Sequence, residues 1–168
     1  MAIKNFWSLE VGEAVAADKL KSVLGKDYEV FIPLNNELKG YDLLLVNNKN
    51  RKMRKIQVKE SRQYKEGHGW FQIDKDKVNG LVADFYIFIV YRIEIDKNGH
   101  EKLEHPMLII PSKVLREKSK GKKISKDKNN KEKYNYNFKI YNKNSASEYR
   151  NSPVDYSKYV ENFGILRF

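Results

Sequence analysis

The sequence predicts a single α/β or α+β domain over residues 1–168, built on a mixed central β-sheet with helices against it. Three observations predict it. Strand-like and helix-like segments are interleaved along the chain, no internal repeat marks a solenoid, and the run 83–91 (ADFYIFIVY) is apolar without alternation, as a strand covered on both faces must be.

The elements follow in order. In 6–24, Leu9, Ala16, Ala17, Leu20 and Leu24 recur at three- and four-residue spacing, and Gly25 stands where a helix would stop. Glu13 lies on that apolar stripe, which aims its carboxylate at the body of the protein, whereas Glu10 falls about 60° off it. Residues 28–33 are β-branched and aromatic and end at Pro33, which suits an edge strand. Residues 40–46 and 53–60 flank a polar turn, Asn47-Asn48-Lys49-Asn50-Arg51, and should pair as a hairpin. A turn centred between Lys49 and Asn50 sets Asp42 opposite Gln57 and Gly40 opposite Lys59, so Gln57 and Lys59 share a face with Asp42 beside them. Slipping the register by one residue would separate them.

Downstream, 70–73 reads as a strand and Asp74 as the cap of a brief helix through Leu81. Residues 107–110 form another buried strand, Pro111 opens a short helix, and alternation at Tyr134, Tyr136, Phe138 and Ile140 marks a late strand. The tail 152–163 reads as helical, with Gly164 as its stop.

Composition narrows the function classes. With no cysteine there are no disulfides, thiolate nucleophiles or cysteine zinc sites. His68, His100 and His105 lack the paired spacing of a helix-borne zinc site, and no glycine-rich phosphate loop or Gly-x-Ser-x-Gly elbow occurs. The apolar stretch 85–91 is too short to cross a bilayer, so the expectation is a soluble, cytoplasmic protein with no membrane partner. Lys and Arg number 33 against 22 acids, a net charge of +11 that favours a polyanion. Between 113 and 133 ten residues are basic and three acidic, with Val114, Leu115 and Ile124 the apolar ones. This stretch, and 116–133 in particular, reads either as a solvated loop or as a flexible arm following a phosphate backbone, with Lys118, Lys120, Lys122 and Lys123 as contacts.

Four polar residues stand out against their apolar surroundings: Glu13, Asp42, Gln57 and Lys59. Together they supply two anionic oxygens, an amide oxygen and an ammonium, the makings of a hard-cation site with a fixed positive charge beside it. The stretch 12–61, GEAVAADKLKSVLG through YEVFIPLNNELKGYDLLLV to KIQVKES, resembles the PD-(D/E)xK nuclease superfamily, the restriction-endonuclease-like fold of Holliday-junction resolvases and Mrr-type enzymes. The resemblance matches Glu13 to the helix acid, Asp42 to the motif aspartate, Gln57 to the variable acidic position and Lys59 to the motif lysine. It departs at Tyr41, where the family carries proline, and at Gln57, which removes one negative charge.

The resemblance implies metal-assisted phosphodiester hydrolysis. Asp42, Gln57, the Val58 backbone carbonyl and Glu13 would hold Mg²⁺, with Mn²⁺ able to substitute, and Lys59 would orient or deprotonate the attacking water or stabilise the phosphorane charge. Ser61 and Gln63 continue the alternation towards the phosphate. The expected partner is duplex or branched DNA, and the expected assembly a homodimer. The alternative is a catalytically inactive nucleic-acid-binding module of the same fold.

Overall fold

The computed structural model describes residues 11–33, 40–61, 68–148 and 153–168. The helix read from 6–24 is present as α1, Val11–Leu24, its residues 6–10 lying outside the described residues. Gly25 ends it at φ 75°, a left-handed backbone that glycine adopts without a Cβ clash. β1 (Tyr28–Phe31), β2 (Leu43–Asn47), β3 (Met53–Ser61), β5 (Phe85–Val90) and β8 (Met107–Pro111) form one sheet in the order β1-β2-β3-β5-β8. Only the β3–β5 pair is parallel, so the sheet is mixed.

β5 shows why its sequence lacks alternation. All six of its residues are buried. Phe85, Ile87 and Ile89 pack with Ala16, Leu20, Leu43, Leu45, Ile56 and Val58 under α1. Tyr86, Phe88 and Val90 enter a second core with Phe71, Tyr136 and Phe138.

That second core narrows the expectation of a central sheet flanked by helices, because α1 covers one face and a second sheet the other. Its outer wall is a second, antiparallel sheet of β4 (His68–Asp74), β10 (Glu132–Asn142), β11 (Ser145–Glu148) and β12 (Val154–Asp155), with β9 (Ile124–Lys126) paired to β10. α2 (Lys75–Asn79) and α3 (Ser112–Lys118) add Val78 and Leu115 to the same core. Alternation along β10 buries Tyr134, Tyr136, Phe138 and Ile140, as the sequence predicts, and edge-to-face rings such as Phe88–Phe138 at 4.7 Å join the two sheets.

Other readings change. Asp74 makes no capping hydrogen bond to α2, because its carboxylate bonds Lys133 on the neighbouring strand. His68 opens β4, which begins two residues before the expected strand at Trp70. A hairpin of β6 (Arg92–Ile95) and β7 (Glu101–Glu104) was not foreseen, although Asp96-Lys97-Asn98-Gly99 is a strong turn signal.

The tail is not helical. After β12 it makes two 3₁₀ turns, Ser157–Tyr159 and Phe163–Leu166. Pairing with the edge of β8 outweighs its helical spacing. Val160 bridges Leu108, the Glu161 N–H donates to the Met107 carbonyl at 2.9 Å, and Met107 N–H donates back to Glu161 Oε1 at 2.8 Å.

The lysine-rich stretch 113–133 is folded, against the expectation of a solvated loop or flexible arm. Leu115 and Ser119 are buried, and the Ser119 and Tyr136 hydroxyls bond at 2.6 Å. Lys122 is drawn in beside them. Its side chain is 7 % exposed, pairs with the carboxylate of Glu148 (1 %), and lies 4.2 Å from the Tyr136 ring centroid. Lys118 donates to the Asp155 carbonyl at 3.1 Å over the Tyr156 ring, and Lys120 pairs with Glu117 at 2.7 Å. Of the four lysines singled out, only Lys120 and Lys123 are exposed.

Candidate active site

The β2–β3 register has Leu45 opposite Arg54 and closes with Leu43 opposite Ile56, one pair short of the expected pairing of Asp42 with Gln57. The ladder ends there, with Asp42 N–H donating to the Ile56 carbonyl at 2.8 Å. One residue further the Asp42 side chain takes over from the backbone. Its Oδ2 accepts the Val58 N–H at 2.8 Å and a short hydrogen bond from Gln57 Nε2. The carboxylate thus caps β3 where β2 leaves it.

The geometry fixes what each neighbour offers. Because Gln57 spends its amide nitrogen on Asp42, its amide oxygen is the end left to face a cation. Val58 directs its N–H to Asp42, and since N–H and C=O of one strand residue point to the same side, its carbonyl lies on the Asp42 side of β3. Lys59, half-buried, follows Gln57 by two residues and shares its face.

Glu13 comes from the other face. It is 3 % exposed in the first turn of α1, on the stripe of Ala16 and Leu20, which packs on Ile56 and Val58. Next to it Gly12 lies against Glu60, so close that a Cβ there would sit 2.8 Å from Glu60 Oε2. Asp42, Gln57 and Val58 are therefore in direct contact, with Lys59 along the same face and Glu13 across the strand.

Two neighbouring positions were expected to reach phosphate. Ser61 is buried and its Oγ accepts the Trp70 N–H at 3.2 Å, which spends it on joining β3 to β4. Gln63 lies outside the described residues.

Sequence reasoning missed Tyr86. It is the β5 partner of Gln57, is 1 % exposed, and its buried hydroxyl has no hydrogen-bond partner among the described residues. Burial first, and then the charges of Asp42 and Asp74, hold its ionisation well above the usual tyrosine range, so it stays a neutral donor. A tyrosine inside an otherwise aliphatic and phenylalanine-rich central strand was the available signal.

The donor set at Asp42 consists of oxygens, which suits a hard divalent cation. It leans on neutral oxygens: among the described residues no group of three or more His, Cys, Asp or Glu side chains converges. Replacing Gln57 by Glu should expose this balance. Two carboxylates would then touch, and in a chelator the folded variant should hold a proton between them. An acid whose proton affinity is raised by folding contributes stability at low pH and loses it as pH rises. The Gln57→Glu variant should therefore lose stability relative to the wild type as pH rises from 4 to 7 in EDTA, by about 1.4 kcal/mol per unit of the shift, read as a falling melting temperature. Mn²⁺ should offset the loss and bind at least as tightly as to wild type by calorimetry. Equal stability of the two proteins at pH 7 in EDTA would show that positions 42 and 57 do not face each other.

Comparison of the chain with protein-family models, curated sequences and solved structures finds no match. No helix among the described residues is long and apolar enough to cross a membrane.

Proposed function

We propose that the protein is a Mg²⁺-dependent DNA endonuclease with a restriction-endonuclease-like core. The observation that supports this reading best is the forked end of the β2–β3 ladder. There Asp42 receives Gln57 Nε2 and the Val58 N–H, and Lys59 follows on the same face. Asp42, the Gln57 amide oxygen and the Val58 carbonyl would hold the ion, while Glu13, expected to join them, lies with Ile56 and Val58 on the other face of β3. The ion supplies polarisation of the scissile phosphate and a bound water of lowered pKa. Lys59 serves as the adjacent cation, orienting that water or countering charge on the phosphorane. The excess of basic side chains supplies sequence-independent attraction to the DNA backbone. Cutting both strands calls for two copies of the site, hence a homodimer on DNA.

A second reading is a binding module of the same fold without cleavage. The Asp42–Gln57 hydrogen bond favours it, because a carboxylate satisfied by an amide and a backbone N–H is complete as a structural cap.

Supercoiled plasmid separates the two. The endonuclease converts it to nicked and linear forms in Mg²⁺ or Mn²⁺, and EDTA abolishes the conversion. Salt-dependent retardation of the plasmid with no nicking in either metal would leave the binding module.

A further inference from the structure

At the end of the main sheet where β3 and β5 begin and β8 ends lies a cavity of about 280 Å³. Its wall includes Arg54, Leu81, Asp84, Phe85, Ser112 and Lys113. Ser112 is 2 % exposed, and its buried hydroxyl has no hydrogen-bond partner among the described residues; the same holds for Arg54 Nε. Both groups can donate, and a buried polar group left without a partner is costly, so the cavity is short of acceptors.

Its charge has the same sense. The Arg54 guanidinium is held 4.5 Å from the Phe168 ring centroid and 5.4 Å from that of Phe85, with Nη2 donating to the Arg167 carbonyl at 3.5 Å. Lys113 is exposed at the rim and makes no ion pair among the described residues. Asp84 is the opposing charge, but its Oδ2 is turned to the Lys55 N–H at 2.8 Å. Two cations and one engaged carboxylate leave the lining net positive.

We propose that this cavity is a phosphate-binding subsite, in which the Ser112 hydroxyl, Arg54 and Lys113 donate to the oxygens of one phosphate group. Phosphate fits because several acceptors and a negative charge are wanted within a volume just below the ~300–1,000 Å³ of drug-sized pockets. The group can belong to a nucleic-acid strand or to a small phosphorylated compound. Arg54 stands three residues, about 10 Å, before Gln57 on β3, so a strand crossing the Asp42 region could reach it. The subsite itself does not depend on cleavage.

The test is a two-dimensional amide NMR titration of the full chain with inorganic phosphate in EDTA at constant ionic strength. Saturable shifts in the millimolar range should appear at Asp84, Ser112 and Lys113. Ser112→Ala and Lys113→Gln should each weaken binding severalfold, and together about tenfold, without lowering the melting temperature, since one removes an unsatisfied hydroxyl and the other an exposed side chain. Asp42→Asn should bind phosphate as the wild type does, which separates this site from the endonuclease reading. If a short duplex displaces phosphate from these amides, the natural source is the strand; if a mononucleotide saturates them and duplex does not, it is a small compound. Both results support the subsite. Shifts spread over the basic surface without saturation, equal shifts with acetate, or an unaltered affinity in the double variant would overturn it.

Discussion

Lys122→Gln should lower stability by about 3 kcal/mol, the lower end of the cost of breaking a buried ion pair. For a chain of this length that corresponds to a drop of roughly 6–12 °C in melting temperature. Glu148 is the more buried partner, and glutamine returns neither the charge nor the reach of lysine. The loss should spread through the surrounding bonds. Lys122 covers the Tyr136 ring, Tyr136 bonds Ser119, and the Ser119 hydroxyl donates to the Leu115 carbonyl at 2.7 Å. Lys120→Gln and Lys123→Gln remove exposed charges and should stay within about 0.5 kcal/mol. Thermal denaturation of the three single variants decides the matter. Equal melting temperatures would mean that Lys122 is as solvated as its neighbours. A quadruple substitution at 118, 120, 122 and 123 would thus confound binding with unfolding, and only Lys120 and Lys123 give a clean test of salt-dependent DNA affinity.

Asp42→Asn and Lys59→Ala should each reduce plasmid cleavage by at least about 10²–10³-fold, the cost of removing one well-placed charge-stabilising group. Asparagine at 42 keeps an oxygen for the Val58 N–H, so the cap on β3 survives while the anion is lost. DNA affinity should hardly change in either variant, because phosphate contacts spread over many basic residues dominate it. Cleavage assays paired with filter binding at fixed salt give both numbers. Retained nicking by Lys59→Ala would remove the lysine from the chemistry, and a parallel fall in binding and cleavage would make both residues part of the DNA-contacting surface.

Local pattern carried much of the main sheet, and for identifiable reasons. The turn at Asn47–Arg51 is short and polar enough to fix the hairpin register, which is why the contact of Asp42 with Gln57 could be read from spacing. The unbroken apolar run in β5 announced a strand between two cores. What faced its second side was illegible, because the β4–β10 pairing joins Trp70 to Asn137 and leaves no local trace. The same limit hid Lys122: nothing near it in sequence announces Glu148 or Tyr136, so a charge run read as solvent-facing. At the site, alternation placed Gln57 and Lys59 correctly relative to each other. It could not reveal that Ser61 is taken by Trp70, or that Tyr86 stands beside Gln57 on the neighbouring strand. In the tail, regular spacing of apolar residues mimicked a helix whose positions are in fact divided between the two cores.

That tail also bears on how the chain avoids its own copies. β8 ends the main sheet and is apolar and unbroken from Met107 to Ile110, the kind of edge that recruits strands from other molecules. Val160 and Glu161 occupy backbone groups at its start, and Phe163 and Leu166 are buried beyond it. Residues 160–166 thus act as a guard against intermolecular β-addition, so removing them would leave the β8 edge open to strands of other copies.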